Sequence, residues 1–163
     1  MPYQTTLNFN ESLIRKAVLS FWWRVVGFKF IIAMILIALS LGFFLYIGDR
    51  SWFVGAHATV LIIGISFVFA LYWSHYRNGL KKFRAMGSSQ ATFSASESSF
   101  TFESGAGSST LPWSSVTEIW QFEKYWLMLF SKAQFVTLPL ADISPEFRAS
   151  ILERVRASGG AIV

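Results

Sequence analysis

The chain has 163 residues, of which 53% are hydrophobic, 18% aromatic and only 14% charged, with a formal net charge of +5. Typical globular proteins carry roughly 25% charged residues, and the mean hydropathy here is +0.46, so an ordinary water-soluble domain is excluded. There is no cysteine, which removes disulfides, thiolate nucleophiles and Cys-ligated zinc or iron–sulfur sites.

The charge is unevenly spread. Residues 1–84 hold nine Lys/Arg against two acids, a net of +7, and residues 85–163 hold five against seven, a net of −2. A nucleic-acid-binding chain would concentrate positive charge in its folded domain, whereas a membrane protein places it at the flanks of its apolar runs, where anionic headgroups lie. The pattern fits the second case, and no nucleic-acid partner is expected.

Residues 3–9 have weak strand character. Asn10 then reads as a helix cap with Glu11 in the first turn, where an acid suits the helix dipole. Leu13, Ala17, Phe21 and Ile14, Val18 recur at helical spacing, interrupted by Arg15, Lys16 and Arg24. This basic, aromatic stretch reads either as an interfacial helix or as the collar of a membrane helix. Both readings place Trp22 and Trp23 at headgroup level.

Phe30 to Ile47 contains no charged side chain, and neither does Ser51 to Tyr76. At about 1.5 Å per residue the first run spans roughly 27 Å as a helix, close to the hydrocarbon thickness of a bilayer. The pair reads as a transmembrane hairpin with helices over about 25–47 and 52–74. Lys29 falls at the end of the first run, from which its stem reaches the interface. The apolar run begins too far along the chain for an ordinary signal peptide, so it is expected to be retained. Arg15, Lys16, Arg24 and Lys29 precede the hairpin, and Arg77, Lys81, Lys82 and Arg84 follow it. The positive-inside rule then puts both termini in the cytoplasm.

His57 is the candidate intramembrane polar residue. It has no acidic partner in either run, so a hydrogen bond between helices is the plain reading and a pore-lining role the sharper one. Ala38 and Gly42, with Gly55, Thr59, Ser66 and Ala70, recur at four-residue spacing and would permit close helix approach.

From Gln90 the apolar period changes from 3.6 to 2. Short strands are expected over 90–95, 100–103, 109–113, 116–122 and 135–140, with Gly105-Ala106-Gly107 as a turn. Tyr125 to Phe130 is apolar at both parities and predicts a strand covered on both faces. Ser144, Pro145 and Glu146 open a final helix with Phe147, Ile151 and Val155 in one stripe, and Gly159-Gly160 stop it. The expected fold class is a membrane α-helical hairpin plus an α+β domain, the latter a small antiparallel PH-like β-domain capped by a C-terminal helix. The expected segments are 1–24 (cytosolic or interfacial), 25–76 (hairpin), 77–89 (basic connector) and 90–158 (cytosolic β-domain).

The run Phe-Thr-Phe-Glu-Ser-Gly from 100 and Ser-Ser-Thr-Leu-Pro-Trp-Ser-Ser-Val-Thr-Glu-Ile to 119 is followed by a hydrophobic strand. Phe-Val-Thr-Leu-Pro (135–139) and a Ser-Pro-initiated helix come next. This order resembles the YcxB-like family over about residues 10–157. The resemblance implies a small bacterial protein with two N-terminal membrane helices and a cytosolic PH-like domain, and it implies no catalytic residues.

No catalytic, cofactor-binding or metal-ligating constellation is expected. The seven acids of residues 85–163 are scattered, that region has no histidine, and its serines have no local base. Trp113 and Trp120 are expected in the core; Trp126, just after a turn, is the candidate partner surface. The expected protein is a non-catalytic binding or scaffold protein of the bacterial inner membrane. It would use Trp22, Trp23, Lys29, Arg77, Lys81, Lys82 and Arg84 at the membrane interface, with anionic lipid and either a protein partner or further copies as its partners. The alternatives are an oligomeric small channel or transport accessory, and a membrane immunity or regulatory protein.

Overall fold

In the computed structural model the described residues are 3–163; Met1 and Pro2 of the expected segment 1–24 lie outside them. The element order is β1 (Tyr3–Asn8), α1 (Glu11–Tyr46), α2 (Trp52–Ala85), β2 (Gln90–Ala95), β3 (Ser99–Ser104), β4 (Gly107–Pro112), β5 (Glu118–Gln121), β6 (Tyr125–Ser131), β7 (Gln134–Pro139), α3 (Pro145–Ala157) and β8 (Ala161–Ile162). Two compact units result: a helical one, Val18–Arg77, and an α+β one made of Met1–Ala17 and Asn78–Val163.

In the helical unit, α1 and α2 supply windows of mean hydropathy 2.5 and 2.2, long and apolar enough to cross a membrane. Those windows are not buried inside the protein: Leu39, Ile62 and Phe69 are each about two-thirds exposed. Water-soluble chains rarely leave contiguous apolar surface of that extent uncovered, which suggests membrane association. Within α1, Gly27 has φ 73° and ψ 153°, a conformation that is essentially restricted to glycine. A Cβ there would meet no atom within 4 Å, so the glycine serves the backbone dihedral and not packing. The break separates the amphipathic turns of α1 from its apolar run. The amphipathic turns and the apolar run are therefore successive parts of one element.

The α+β unit holds two four-stranded sheets, ordered β1-β2-β3-β4 and β7-β6-β5-β8. β1 pairs antiparallel with β2, with Leu7 opposite Ala91 and Asn8 opposite Gln90. The strands adjoining α1 and α2 are thus neighbours although 82 positions separate Asn8 from Gln90. Leu7 is fully buried in a core shared with Phe93, Phe100, Trp113, Met128 and Ile151. Tyr3 stacks on Phe147 at 4.7 Å between ring centres. The backbone N–H of Asn8 donates to Asp142 Oδ2 (2.8 Å) and its side-chain Nδ2 to Oδ1 (3.0 Å).

The expected domain 90–158 therefore gains a strand at each end. β8 is the second addition: it lies parallel to β5, with Ile119 opposite Ile162. The strand expected over 116–122 is shorter, because Trp113–Ser115 form a 3-10 turn that re-aims the chain before β5. β6 is buried at successive positions from Tyr125 to Leu129, as its apolar parities require. Its inner face meets the core through Trp126 and Met128. On its other face the Tyr125 hydroxyl donates to the backbone carbonyl of Lys16 in the first turns of α1 (3.2 Å).

α3 begins as its sequence dictates. The Ser144 hydroxyl accepts from the Phe147 N–H at 3.2 Å, with Pro145 in the first turn. Phe147, Ile151 and Val155 face the core. The Glu146 carboxyl is held below its ordinary value, chiefly by its own backbone N–H and then by the Ser144 hydroxyl.

Two predictions test these packings. Leu7→Ala removes a fully buried side chain, a change that costs about 2–5 kcal/mol. In a thermal melt of the detergent-solubilised protein followed by tryptophan fluorescence, it should lower the α+β transition about as much as Ile151→Ala; no shift would mean that β1 is not part of the core. For Glu146 the depressed value means that the ionised form stabilises the fold. This stability is present above the unfolded-state value and is lost as pH falls through the folded one. Glu146→Gln should therefore lower the melting temperature at pH 7, with the difference from the native protein vanishing below the carboxylate range.

Candidate functional site

The residues singled out in the sequence fall in several places. At the ends of α1 and α2 in the helical unit, the Trp22 indole N–H donates to the Val68 carbonyl at 2.9 Å. Its ring meets Tyr72 edge-on at 6.3 Å. Trp22 thus ties the two helices together where their aromatic residues gather, while its neighbour Trp23 is 54% exposed. Lys29 and Arg77 are exposed in this unit, and Lys81, Lys82 and Arg84 are exposed at the end of α2 in the α+β unit. Lys82 and Arg84 occupy the last helical turn, where cations complement the dipole.

His57 sits between the two helices. Its Nδ1–H donates to the Phe53 carbonyl at 3.0 Å, which leaves Nε2 to accept from the Ser40 hydroxyl at 3.5 Å. The ring lies 4.5 Å from Phe53 and 5.7 Å from Phe44. Both nitrogens are engaged in an aromatic setting, an arrangement that joins helices. Of the small residues in the sequence, Gly42 and Gly55 have open space where a Cβ would stand. The close approach instead occurs at Gly64, where a Cβ would lie 2.6 Å from the Met34 methyl. This residue lay outside the four-residue pattern because Val60 and Val68, not small residues, stand four positions to either side of it. Beside it runs an apolar groove of about 600 Å³, bounded by Trp22 and Tyr72 towards one end and by Ala38 and Leu61 towards the other.

Trp126 requires a correction. It is 6% exposed and belongs to the core, because the parity that opposes Tyr125 and Leu127 directs it between the sheets. Trp113 and Trp120 are buried, as expected. Trp113 donates its indole N–H to the Ser96 carbonyl at 3.0 Å and Trp120 to Glu118 Oε2 at 2.6 Å. A cleft of about 400 Å³ lies between the first turns of α1 and the β5–β6 turn, with Lys16, Glu123 and Lys124 on its rim. Among the described residues no group of three or more His, Asp or Glu side chains could hold a metal ion. The cluster the sequence did not reveal is Asn8, Gln90 and Asp142, in which Gln90 Nε2 also donates to Asn8 Oδ1 at 3.0 Å. No local pattern signals three polar residues drawn from three distant segments.

Two long apolar helices joined to an α+β domain define a chain with the character of a membrane-associated protein carrying one small folded module. Residues 95–149 match the family model described as YcxB-like protein. The match runs from the end of β2 to the first turns of α3, so it bears out the resemblance over that stretch and stops short of β1 and both long helices. No curated protein and no solved structure matches the chain.

A prediction follows for the bridge between the helices. Hydrogen bonds between membrane helices average about 0.6 kcal/mol. His57→Ala should therefore lower the thermal stability of the detergent-solubilised protein only slightly, and adding Ser40→Ala should cost little more. A collapse of the fold on His57→Ala would contradict this role.

Proposed function

We propose that this protein is a non-catalytic binding or scaffold protein of the bacterial inner membrane, displaying a PH-like domain at the cytoplasmic face. The observation that carries the reading is the insertion of the apolar hairpin between β1 and β2, two strands paired in one sheet. A chain that crosses a bilayer twice returns to the side it left, so this pairing is met by a two-pass hairpin and not by a single crossing. Basic residues on both flanks and a turn with one acid and one base favour the cytoplasm for that side. The PH-like reading rests on two packed sheets whose antiparallel strands are followed by α3, with β8 added after it.

In this account Trp22 and Trp23 lie at headgroup depth. The exposed Arg77, Lys81, Lys82 and Arg84 engage anionic lipid at roughly 1 kcal/mol each. The domain has the materials of a binding module: an aromatic core and strands at the edges of its two sheets. A channel reading would lean on His57, and the engagement of both its ring nitrogens in bonds between and within helices favours a structural role for that residue.

The test is fractionation followed by mild-detergent purification of the full-length chain. The proposal expects the protein to stay in the membrane pellet at alkaline pH, and to elute with a mass above that of one copy, either as a multimer or with a distinct second protein. Extraction into the alkaline supernatant would overturn the anchoring, and a pure single copy would overturn the binding role.

A further inference from the structure

We infer that the apolar groove between α1 and α2 is a lipid site, which holds one acyl chain of an anionic phospholipid from the leaflet on the Trp22 side. The inference rests on the membrane-anchored reading and names the lipid class and the place that holds it.

The groove has a floor, a mouth and two ends. Met34, Gly64 and Val68 lie half-buried in its depth, and the exposed Ile35, Ile65 and Phe69 stand at its mouth. A Cβ on Gly64 would lie 2.6 Å from the Met34 methyl, so the missing side chain lets Met34 settle onto α2 and lowers the floor. At one end the Trp22 indole N–H is spent on the Val68 carbonyl. Its ring, with Tyr72 edge-on to it, is left as an apolar wall. Beyond Ala38 and Leu61 at the other end, the Ser40–His57 bridge and the contacts of Phe44 with Phe53 and His57 close the gap between the helices.

Dimensions select the occupant. Along α2 the groove runs from Leu61 to Tyr72, about 17 Å at helical rise, against about 15 Å for one leaflet, half of the hydrocarbon core. It therefore starts at an aromatic pair and stops about where one leaflet stops. Its volume of about 600 Å³ over that length leaves a mean section of about 36 Å², less than half that of a helix about 10–12 Å across. An acyl chain, about 4 Å wide at carbon contact distance, fits this section, and a helix does not. Helices that pack together in a bilayer also meet over small residues. Here the mouth carries isoleucine and phenylalanine, and the glycine of the floor is already covered by Met34.

Charge selects the headgroup. Lys29 adjoins the groove residue Phe30, and Arg77 follows Tyr72 within a turn and a half; both are exposed. With Arg24 they are the charged side chains on that side of the helical unit. Its one acid, Asp49, lies in the turn at the opposite end. A headgroup above the groove thus meets cations and no carboxylate, which favours an anionic lipid over a zwitterionic one.

The test reads the lipid kept by the full-length protein. The protein is reconstituted in vesicles of equal phosphatidylethanolamine and phosphatidylglycerol, then released into mild detergent. Mass spectra of the intact complex should show one phosphatidylglycerol per copy, with phosphatidylethanolamine kept at least several-fold less often. Ala38→Phe and Ile65→Trp each put a large ring into the groove from an exposed position, and each should cut retention at least several-fold. Leu39→Phe, exposed and outside the groove, should leave it unchanged. Lys29→Gln with Arg77→Gln should abolish the preference for phosphatidylglycerol while one lipid of either kind is still held. Native protein that keeps no lipid, or keeps both lipids equally, would overturn the inference. So would retention indifferent to both groove-filling variants, or lowered as much by Leu39→Phe. Alkaline extraction separates this from failure of the anchoring: a protein that stays in the membrane pellet but keeps no lipid refutes the groove alone.

Discussion

The pairing of β1 with β2 is the constraint on which the rest of the structure depends. Leu7 fills the core, Asn8 bonds to Asp142 at the exposed surface beside it, and Tyr3 stacks on α3 through Phe147. The α+β unit thus needs residues from before α1 as well as from after α2. The hairpin is an insertion in the connection between two neighbouring strands, and the domain closes only when both ends of that insertion meet. Such closure joins segments far apart in the chain, which costs loop entropy slowly with length. A long insertion is therefore tolerable, provided that its own ends lie close together, and an antiparallel helical hairpin has that property.

The two units solve different problems with different devices. In the helical unit the exposed surface is apolar, and specificity comes from a few sites: the Trp22 bond to Val68, the His57 bridge and the close approach at Gly64. Gly27 supplies the change of backbone direction between amphipathic turns and apolar run, at a dihedral that other residues adopt only under strain. In the α+β unit the work is done by aromatic packing, with Phe93 near Phe100, Phe102 and Phe147. Its outward strands are rich in serine and threonine and poor in charge.

Much of this was legible in the sequence, for physical reasons that differ by element. The two long helices declare themselves by the absence of charge over uninterrupted runs. α3 declares itself by its cap, proline and apolar stripe, and β6 by being apolar at both parities. Three features were not legible. β1 has a six-residue local signal and a partner beyond the hairpin, so no window on the chain contains both halves of the evidence for it. β8 is two residues long and exists only because β5 offers an edge. Trp126 was misplaced because a residue after a turn looks exposed until the second sheet is known to cover it.

The central claim, that a membrane-crossing hairpin separates two strands of one sheet, is tested most directly by cutting the hairpin. Thr6 and Thr92 are opposed in the β1–β2 register, so Thr6→Cys with Thr92→Cys should form an internal disulfide when the cells are treated with a membrane-permeant oxidant, which overcomes the reducing cytoplasm. A protease site placed in the turn at Gly48–Ser51 should then be cleaved from outside intact cells. The account predicts that the cut protein runs as one species without reductant and as two fragments with it. A turn that resists external protease while being cut after lysis, or fragments that separate without reductant, would contradict it.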